Sequence, residues 1–472
     1  MYYLAIDIGA SSGRHILGEY KEGRIFAKEI YRFETKMIRN NNHLCWDIDL
    51  LFENVLRGLQ RCKELGYEPD YIGIDTWAVD FVLVDNSGKR LTDAVAYRDN
   101  RTDGIRLYLK KERNLSFDEH YKKTGIQYQK FNTIYQLVAL YKENAKIFDD
   151  AYRILMIPDY LNFLLTGKMA NEYTNATTTG LVNAEAKTWD FSLIEKANLP
   201  TNIFGEIVTP GTVIGNFTSD IKDKIGFDTK VVLPATHDTG SAFISVPVKS
   251  ENSVIISSGT WSLLGIENDK PNTNDLGRDK NFTNEGGYEY RYRYLKNIMG
   301  LWMIQNIRKE YSKSQGREVG FAELIDKCAH AKSIGSRVDP DDDRFLSPES
   351  MTEEIKKALK ESGQKSPSDI GELLNVVYES LAEDYKRAIC DLEAVTGKKF
   401  DSVNIVGGGS RDSILNQITA DKTKLKVYAG PTEATALGNL IVQMIASGDI
   451  ASLCEARKII EKSFEITEVI PK

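Results

Sequence analysis

The residue pattern predicts an α/β protein built from two similar halves. Short apolar, β-branched runs alternate with amphipathic helical stretches along the whole chain. Small polar turns interrupt two of these stretches, YLAIDIGASSGRHILGEY near the start and NSVIISSGTWSLLGIE past the middle. Those two segments are weakly similar to each other, the signature of an internal repeat.

The elements follow in order. YYLAIDIG reads as a buried strand ending in glycine, GASSG as a tight turn and RHILGEY as a second strand; KEG is another turn and RIFAKEIYRFE a third strand. A helix is expected from Asp47 or Asp49, because Ile48, Leu51, Phe52, Val55, Leu59 and Cys62 share one helical face. YIGIDTW and DFVLVD are strands, with NSGK the turn after them. In the second half NSVIISSGTWSLLGIE reads as strand, turn, strand, and YEYRYRYLKN as a half-exposed strand. DSVNIVGGG is a strand running into glycines, SRDSILNQITAD a helix and KLKVYAG a strand. PTEATALGNLIVQMIASG is expected to be a helix with proline in its first turn. VPVKSEN breaks the pattern, which divides the chain into 1–246 and 247–472.

The bulk properties exclude several classes. The formal net charge is -7, so no basic face is expected to meet nucleic acid. No run approaches the roughly 18 apolar residues of a membrane span. The N-terminus lacks a basic leader and Asp7 interrupts its apolar run, so a cytoplasmic location is expected. The five cysteines (Cys45, Cys62, Cys328, Cys390 and Cys454) never form a CxxC pair and read as reduced thiols, while none of the five histidines is spaced as a zinc pair.

A phosphate needs converging backbone N–H groups and close approach, so glycines and small residues recur where one is held. GASSGR, residues 9–14, offers these together with two hydroxyls and a guanidinium. A Gly/Ser turn alone is more often a plain hairpin. Two features raise its standing. Asp7 is costly in an apolar strand unless paired or functional, and SSGTW repeats the arrangement in the other half. The usual P-loop is absent, since GK at Gly88, Gly167 and Gly397 is never followed by Ser or Thr. The glycines at 407–409 do not complete GxGxxG, yet suit a backbone that must approach a flat ring or a ribose.

LPATHDTGSAF, residues 233–243, places His237 and Asp238 between an apolar strand and the start of a small-residue helix. A carboxylate there could orient an alcohol and take its proton during phosphoryl transfer, or simply cap the helix. His237 by itself reads as a structural histidine. TWAVDF could line a sugar pocket with Trp77 and Asp80, or be a strand with one inward tryptophan. DPDDDRFLSPES reads as a solvated loop rather than a cation site.

Across nearly the whole chain these residues resemble the FGGY carbohydrate kinases. The motifs are GASSGR, GIDTWAVDFVL, YRDNRT, MIPDYLNFLLTGK, NEYTNATTT, HDTGSA, SSGTWSL, TNEGG, RYLKNIMGLW, DPDDDRF, VGGGSRDSILNQ and AGPTEATALGN. The resemblance implies two actin-like (ribonuclease H-like) lobes flanking an active-site cleft. The first would bind sugar and phosphate and carry the base, and the second would bind ATP. It implies ATP and Mg²⁺ as cofactors and a small ketose, L-rhamnulose, as the alcohol. Asp238 would be the proton acceptor and Asp7 would help hold Mg²⁺. Ala10, Ser11, Ser12, Gly13, Arg14, Thr260, Gln305 and Gly408 would contact ATP. His237, Asp238, Thr239, Asn297 and Ala78 would contact the sugar; the family's pattern has glycine where this chain has Ala78. The rival expectations are a kinase for xylulose or glycerol and, from another class, an actin-like chaperone or filament protein.

Overall fold

The computed structural model describes residues 1–472. The chain sorts into two compact units, Met1–Ser245 with Glu267–Tyr294 and Thr435–Ser463, and Val246–Ile266 with Leu295–Ala434 and Phe464–Lys472. Where the sequence suggested one cut near residue 246, each unit gathers three stretches of chain. No helix is long and apolar enough to cross a membrane.

The first unit is organised by a six-stranded sheet in the order Val213–Asn216, Lys230–Val232, Tyr71–Thr76, Tyr2–Ile8, Ser12–Lys21, Arg24–Glu34. Alternation along Tyr2–Ile8 sends Leu4, Ile6 and Ile8 into a core shared with Leu51, Val55, Leu59, Ile72 and Ile74. The helix Ile48–Glu64 supplies that cover, and Asp47 caps it by accepting from Leu50 N at 3.1 Å. The opposite face of the sheet carries Asp7, Gly73 and Asp75. There the helix Ala434–Ser447 comes close: the Asn439 amide donates to the Gly73 carbonyl at 3.1 Å, and a Cβ on Gly73 would sit 2.6 Å from Asn439 Oδ1. This helix begins after Pro431 rather than around it, so the proline belongs to the preceding turn.

The second unit repeats the design. Ser253–Ser258 pairs antiparallel with Trp261–Asn268 and parallel with Ser402–Val406, as Tyr2–Ile8 pairs antiparallel with Ser12–Lys21 and parallel with Tyr71–Thr76. Lys426–Ala429 and Thr467–Val469 extend the sheet beyond Ser402–Val406. The helix Ile370–Thr396 buries Leu374, Val377, Leu381, Ile389 and Leu392.

YEYRYRYLKN departs from its expected form. Tyr288–Tyr290 is a 3-10 turn, and Tyr292–Met299 is a strand in which Tyr292, Arg293, Tyr294 and Leu295 are all buried. Both faces of the strand are covered, so the charged residue faces inward instead of toward water.

Candidate active site

Strand register assembles the acidic centre of the first unit. Asp7 lies opposite Arg14 across the antiparallel hairpin and beside Asp75 in the parallel pair. Arg14 donates to Asp7 Oδ2 at 2.9 Å. Asp75 is fully buried, accepts from Asn439 Nδ2 at 2.5 Å, and leaves Oδ1 without a partner. Burial, the Asp7 carboxylate and Asp238 raise Asp75 well above the ordinary carboxylate range. These groups stand at the carboxyl ends of parallel strands, where open α/β sheets place their ligands. Asp75 was not singled out from the sequence, although it occupies the same penultimate strand position as Asp7.

The HDTG turn joins this edge through its backbone. Thr76 N donates to Thr236 O at 2.9 Å, and Thr76 bridges in parallel with His237. His237 occupies the residue before the short helix Asp238–Ile244 without a side-chain capping bond. Asp238 Oδ1 accepts from Thr239 N at 2.5 Å and from Thr239 Oγ1 at 3.1 Å. Desolvation and the Asp7 carboxylate push Asp238 up to about 6, while a third of its side chain, 33%, stays open to solvent. An accessible carboxylate with its pKa near the working pH suits the acceptance of a proton from an alcohol.

NEYTNATTT holds the turn in place. Glu172 is wholly buried and accepts from Thr236 N at 3.0 Å, Thr236 Oγ1 at 2.7 Å and Thr174 N at 2.9 Å, and Thr174 Oγ1 accepts from His237 N at 3.2 Å. Each unmade bond to such a group would cost about 1–3 kcal/mol, so Glu172 and Thr174 tie the motif to the Thr236–His237 backbone.

GASSGR forms the hairpin turn, closed by Gly9 N donating to Ser12 O at 2.9 Å. Ser11 is exposed, and Ala10, Ser12 and Arg14 are half-buried. Gly13 is buried with Phe33 packed against its Cα face, where a side chain would collide with the ring. That packing explains the glycine whether or not its backbone also meets a ligand.

TWAVDF resolves differently for its three candidates, Trp77, Ala78 and Asp80. Asp80 is 1% exposed and accepts from Trp46 Nε1 at 2.6 Å, Trp77 Nε1 at 3.0 Å, Tyr97 N at 3.1 Å and Gln136 Nε2 at 3.0 Å. It is a saturated structural carboxylate, and Trp77 turns inward onto it rather than lining a pocket. Only Ala78 is partly open. The next residue, Val79, has φ of 69°, rare for a β-branched residue, and its carbonyl accepts from Thr133 Oγ1 at 2.7 Å and Gln136 Nε2 at 3.2 Å. The loop that presents Ala78 is thus locked in a strained form.

The second unit groups its own predicted residues around the hairpin Ser258–Ser262. Gly300 N and Trp302 N donate to Thr260 O at 3.2 and 3.3 Å, and Leu301 N donates to Gly259 O at 2.9 Å. A Cβ on Gly300 would lie 2.6 Å from the Trp261 carbonyl carbon and 2.8 Å from Gly259 O. KNIMGLW therefore carries a glycine that lets the chain dock on the turn, and Gln305 follows in the first turns of the helix Trp302–Gln315. Gly407 and Gly409 also approach Ser258, whereas Gly408 faces open space. Asn297 Oδ1 is buried without a partner. Asp341 of DPDDDRF accepts from Met299 N at 3.1 Å, and Phe345 is fully buried, so this stretch anchors a strand end and is not merely solvated.

The chain belongs to the FGGY family of carbohydrate kinases: the family's N-terminal domain matches residues 2–245 and its C-terminal domain residues 254–447. It is a carbohydrate kinase. Among curated proteins, the rhamnulokinase of Halalkalibacterium halodurans is 50% identical over 469 residues, 99% of this chain and 98% of that one. The rhamnulokinase of Bacillus subtilis is 42% identical over 473 residues, covering 100% and 96%. Among solved structures, the ligand-bound xylulose kinase from Lactobacillus acidophilus has a TM-score of 0.80 at 17% identity, covering 100% of this chain and 94% of that one. Plasmodium falciparum glycerol kinase with ADP has the same score, identity and coverage. At that identity the likeness establishes the two-lobed fold alone.

Proposed function

We propose that this kinase transfers the terminal phosphoryl group of ATP to the C1 hydroxyl of L-rhamnulose, giving ADP and L-rhamnulose 1-phosphate in the cytoplasmic breakdown of L-rhamnose. The observation that carries the reading is the raised, partly open Asp238 beside His237 and within the field of Asp7. The rhamnulokinases that match along nearly their whole length support the choice of sugar.

Asp238 accepts the proton of the C1 hydroxyl as that oxygen bonds to phosphorus and the bond to the ADP oxygen breaks. His237, Thr239, Asn297 and the backbone around Ala78 orient the ketose. Ala10, Ser11, Ser12, Gly13 and Arg14 meet the phosphates through backbone N–H groups, hydroxyls and one guanidinium. Thr260, Gln305 and Gly408 contact the nucleotide, with Gly408 open to close approach. Two carboxylates in register, one with an unpartnered oxygen, fit a hydrated Mg²⁺ that takes only one or two protein ligands besides phosphate. Asp7 would hold that ion through water, with Asp75 beside it. When bound, the ion neutralises charge on the phosphates.

The test is a panel of L-rhamnulose, xylulose and glycerol with ADP release coupled to a dye. L-Rhamnulose should exceed the others in kcat/KM by roughly a hundredfold, since hydroxyls matched to buried partners discriminate strongly. Equal or better turnover of xylulose or glycerol would reassign the sugar.

A further inference from the structure

His237 contacts Arg293, the first residue of RYLKNIMGLW, to which the sequence reading gave no role. The turn Gly287–Arg291, closed by Gly287 N donating to Arg291 O at 2.7 Å, joins the strands Thr283–Gly286 and Tyr292–Met299 and brings Glu285 next to Arg293. Arg293 is 1% exposed. Its Nε donates to the Gly286 carbonyl at 2.9 Å, and its Nη1 lies 3.1 Å from Glu285 Oε2. Its remaining nitrogen, Nη2, lies 3.0 Å from His237 Nδ1.

We propose that Arg293 is a positioning residue that fixes His237 as the Nε2–H tautomer, so that His237 presents a hydrogen-bond donor toward a sugar oxygen next to Asp238. Two neighbours compete for Nδ1. Glu285 Oε2, at 3.4 Å, would favour a proton there, whereas Arg293 Nη2 is closer and requires a bare nitrogen. A guanidinium can only donate, so the shorter contact decides the tautomer. The other side of the ring agrees: Nε2 lies 3.4 Å from Asp238 Oδ1, where a proton is favoured. Burial and the Arg293 cation also hold His237 well below the usual histidine range, which keeps the ring neutral. A neutral ring with one assigned N–H cannot rotate its role between donor and acceptor. Arg293 thereby contributes to which oxygens the site accepts, without touching them.

The assignment rests on the kinase reading for its substrate but can be tested without it. Full-length protein labelled with ¹⁵N-histidine would be read by long-range ¹H–¹⁵N correlation at neutral pH, with His237 assigned by the signal lost in His237→Gln. A protonated Nε2 and a bare Nδ1 are expected. A protonated Nδ1, donated to Glu285, would overturn the proposal. Arg293→Met alone leaves Glu285 buried without its cation, so the kinetic arm removes both in Glu285→Gln/Arg293→Met. The ketose KM should rise about tenfold, the loss of one fixed hydrogen bond, with the ATP KM unchanged. In a His237→Gln background, where the amide N–H needs no tautomer choice, the same double change should move the ketose KM by less than about twofold. An equal loss in both backgrounds would reduce Arg293 to a packing role. Absence of ketose turnover in the unaltered protein would count against the kinase reading while leaving the tautomer measurement standing.

Discussion

The two hairpins are built alike and equipped differently. In each, a glycine N–H closes the turn onto a carbonyl across it, Gly9 onto Ser12 and Gly259 onto Trp261, both at 2.9 Å. In each, the first strand pairs in parallel with a strand from far along the chain. At the penultimate residue of that first strand the first unit sets Asp7 against Asp75, and the second sets Ser257 against Val406. The backbone plan can be duplicated cheaply, because hydrogen-bond register does not depend on side chains. The buried carboxylates cannot, since each must be offset by a donor, a cation or a retained proton. The first unit supplies Arg14, Asn439 and the elevated affinity of Asp75 for its proton. The second carries hydroxyls and glycines, which suit contact with a neutral ring or ribose.

Breaking this asymmetry on the acidic side should have the largest effect. Asp238→Asn keeps the shape of the turn and its Thr239 contacts while removing the proton acceptor. Its kcat should fall by roughly a hundred- to ten-thousandfold, with ATP affinity by calorimetry unchanged. A variant with near-normal kcat would remove Asp238 from its role.

On the neutral side the expected consequence is smaller and of another kind. The methyl of Gly300→Ala would press on the backbone of Gly259 and Trp261, which has little freedom to yield. Overpacking of this sort costs about 1–3 kcal/mol. The melting temperature should drop and the ATP KM rise, while the ketose KM stays within about twofold, a change of roughly 0.4 kcal/mol. Loss of ketose binding alone would contradict the division of labour.

The smallest change concerns the sugar. Ala78→Gly removes one methyl, worth about a kcal/mol, and should stay active on L-rhamnulose while accepting bulkier ketoses. Ala78→Leu should raise the ketose KM with ATP affinity unaltered. A fall in melting temperature without a selective ketose defect would make Ala78 only a packed loop residue beside the strained Val79.

Much of this was legible in the sequence where the signal is local. The hairpin strands, a helix start at Asp47 or Asp49 and the short HDTG helix follow from alternation, capping and small-residue turns within a dozen positions, and the structure selects Asp47. Asp7 and Asp238 stood out because a carboxylate at the end of an apolar run needs a reason. What escaped depends on partners far along the chain. Asp75 gains its meaning from Asn439, and Glu172 from Thr236. Arg293 looked like the solvent face of an alternating strand because Glu285 and His237, which cover it, are placed by tertiary structure. Asp80 carried the residue type of a sugar contact, and only the four donors around it reveal a buried tie.

The central claim is that Asp238 takes the proton from the ketose, and the pH dependence of kcat/KM for L-rhamnulose tests it most directly. Asp238 acts only when ionised, and its pKa is raised from 3.8 to about 6 by burial and Asp7. The rate should therefore be level above that value and fall about tenfold per pH unit below it. The residual activity of Asp238→Asn should lack that acidic limb. A wild-type profile that stays level down to pH 4.5, or an acidic limb that persists in Asp238→Asn, would contradict the account.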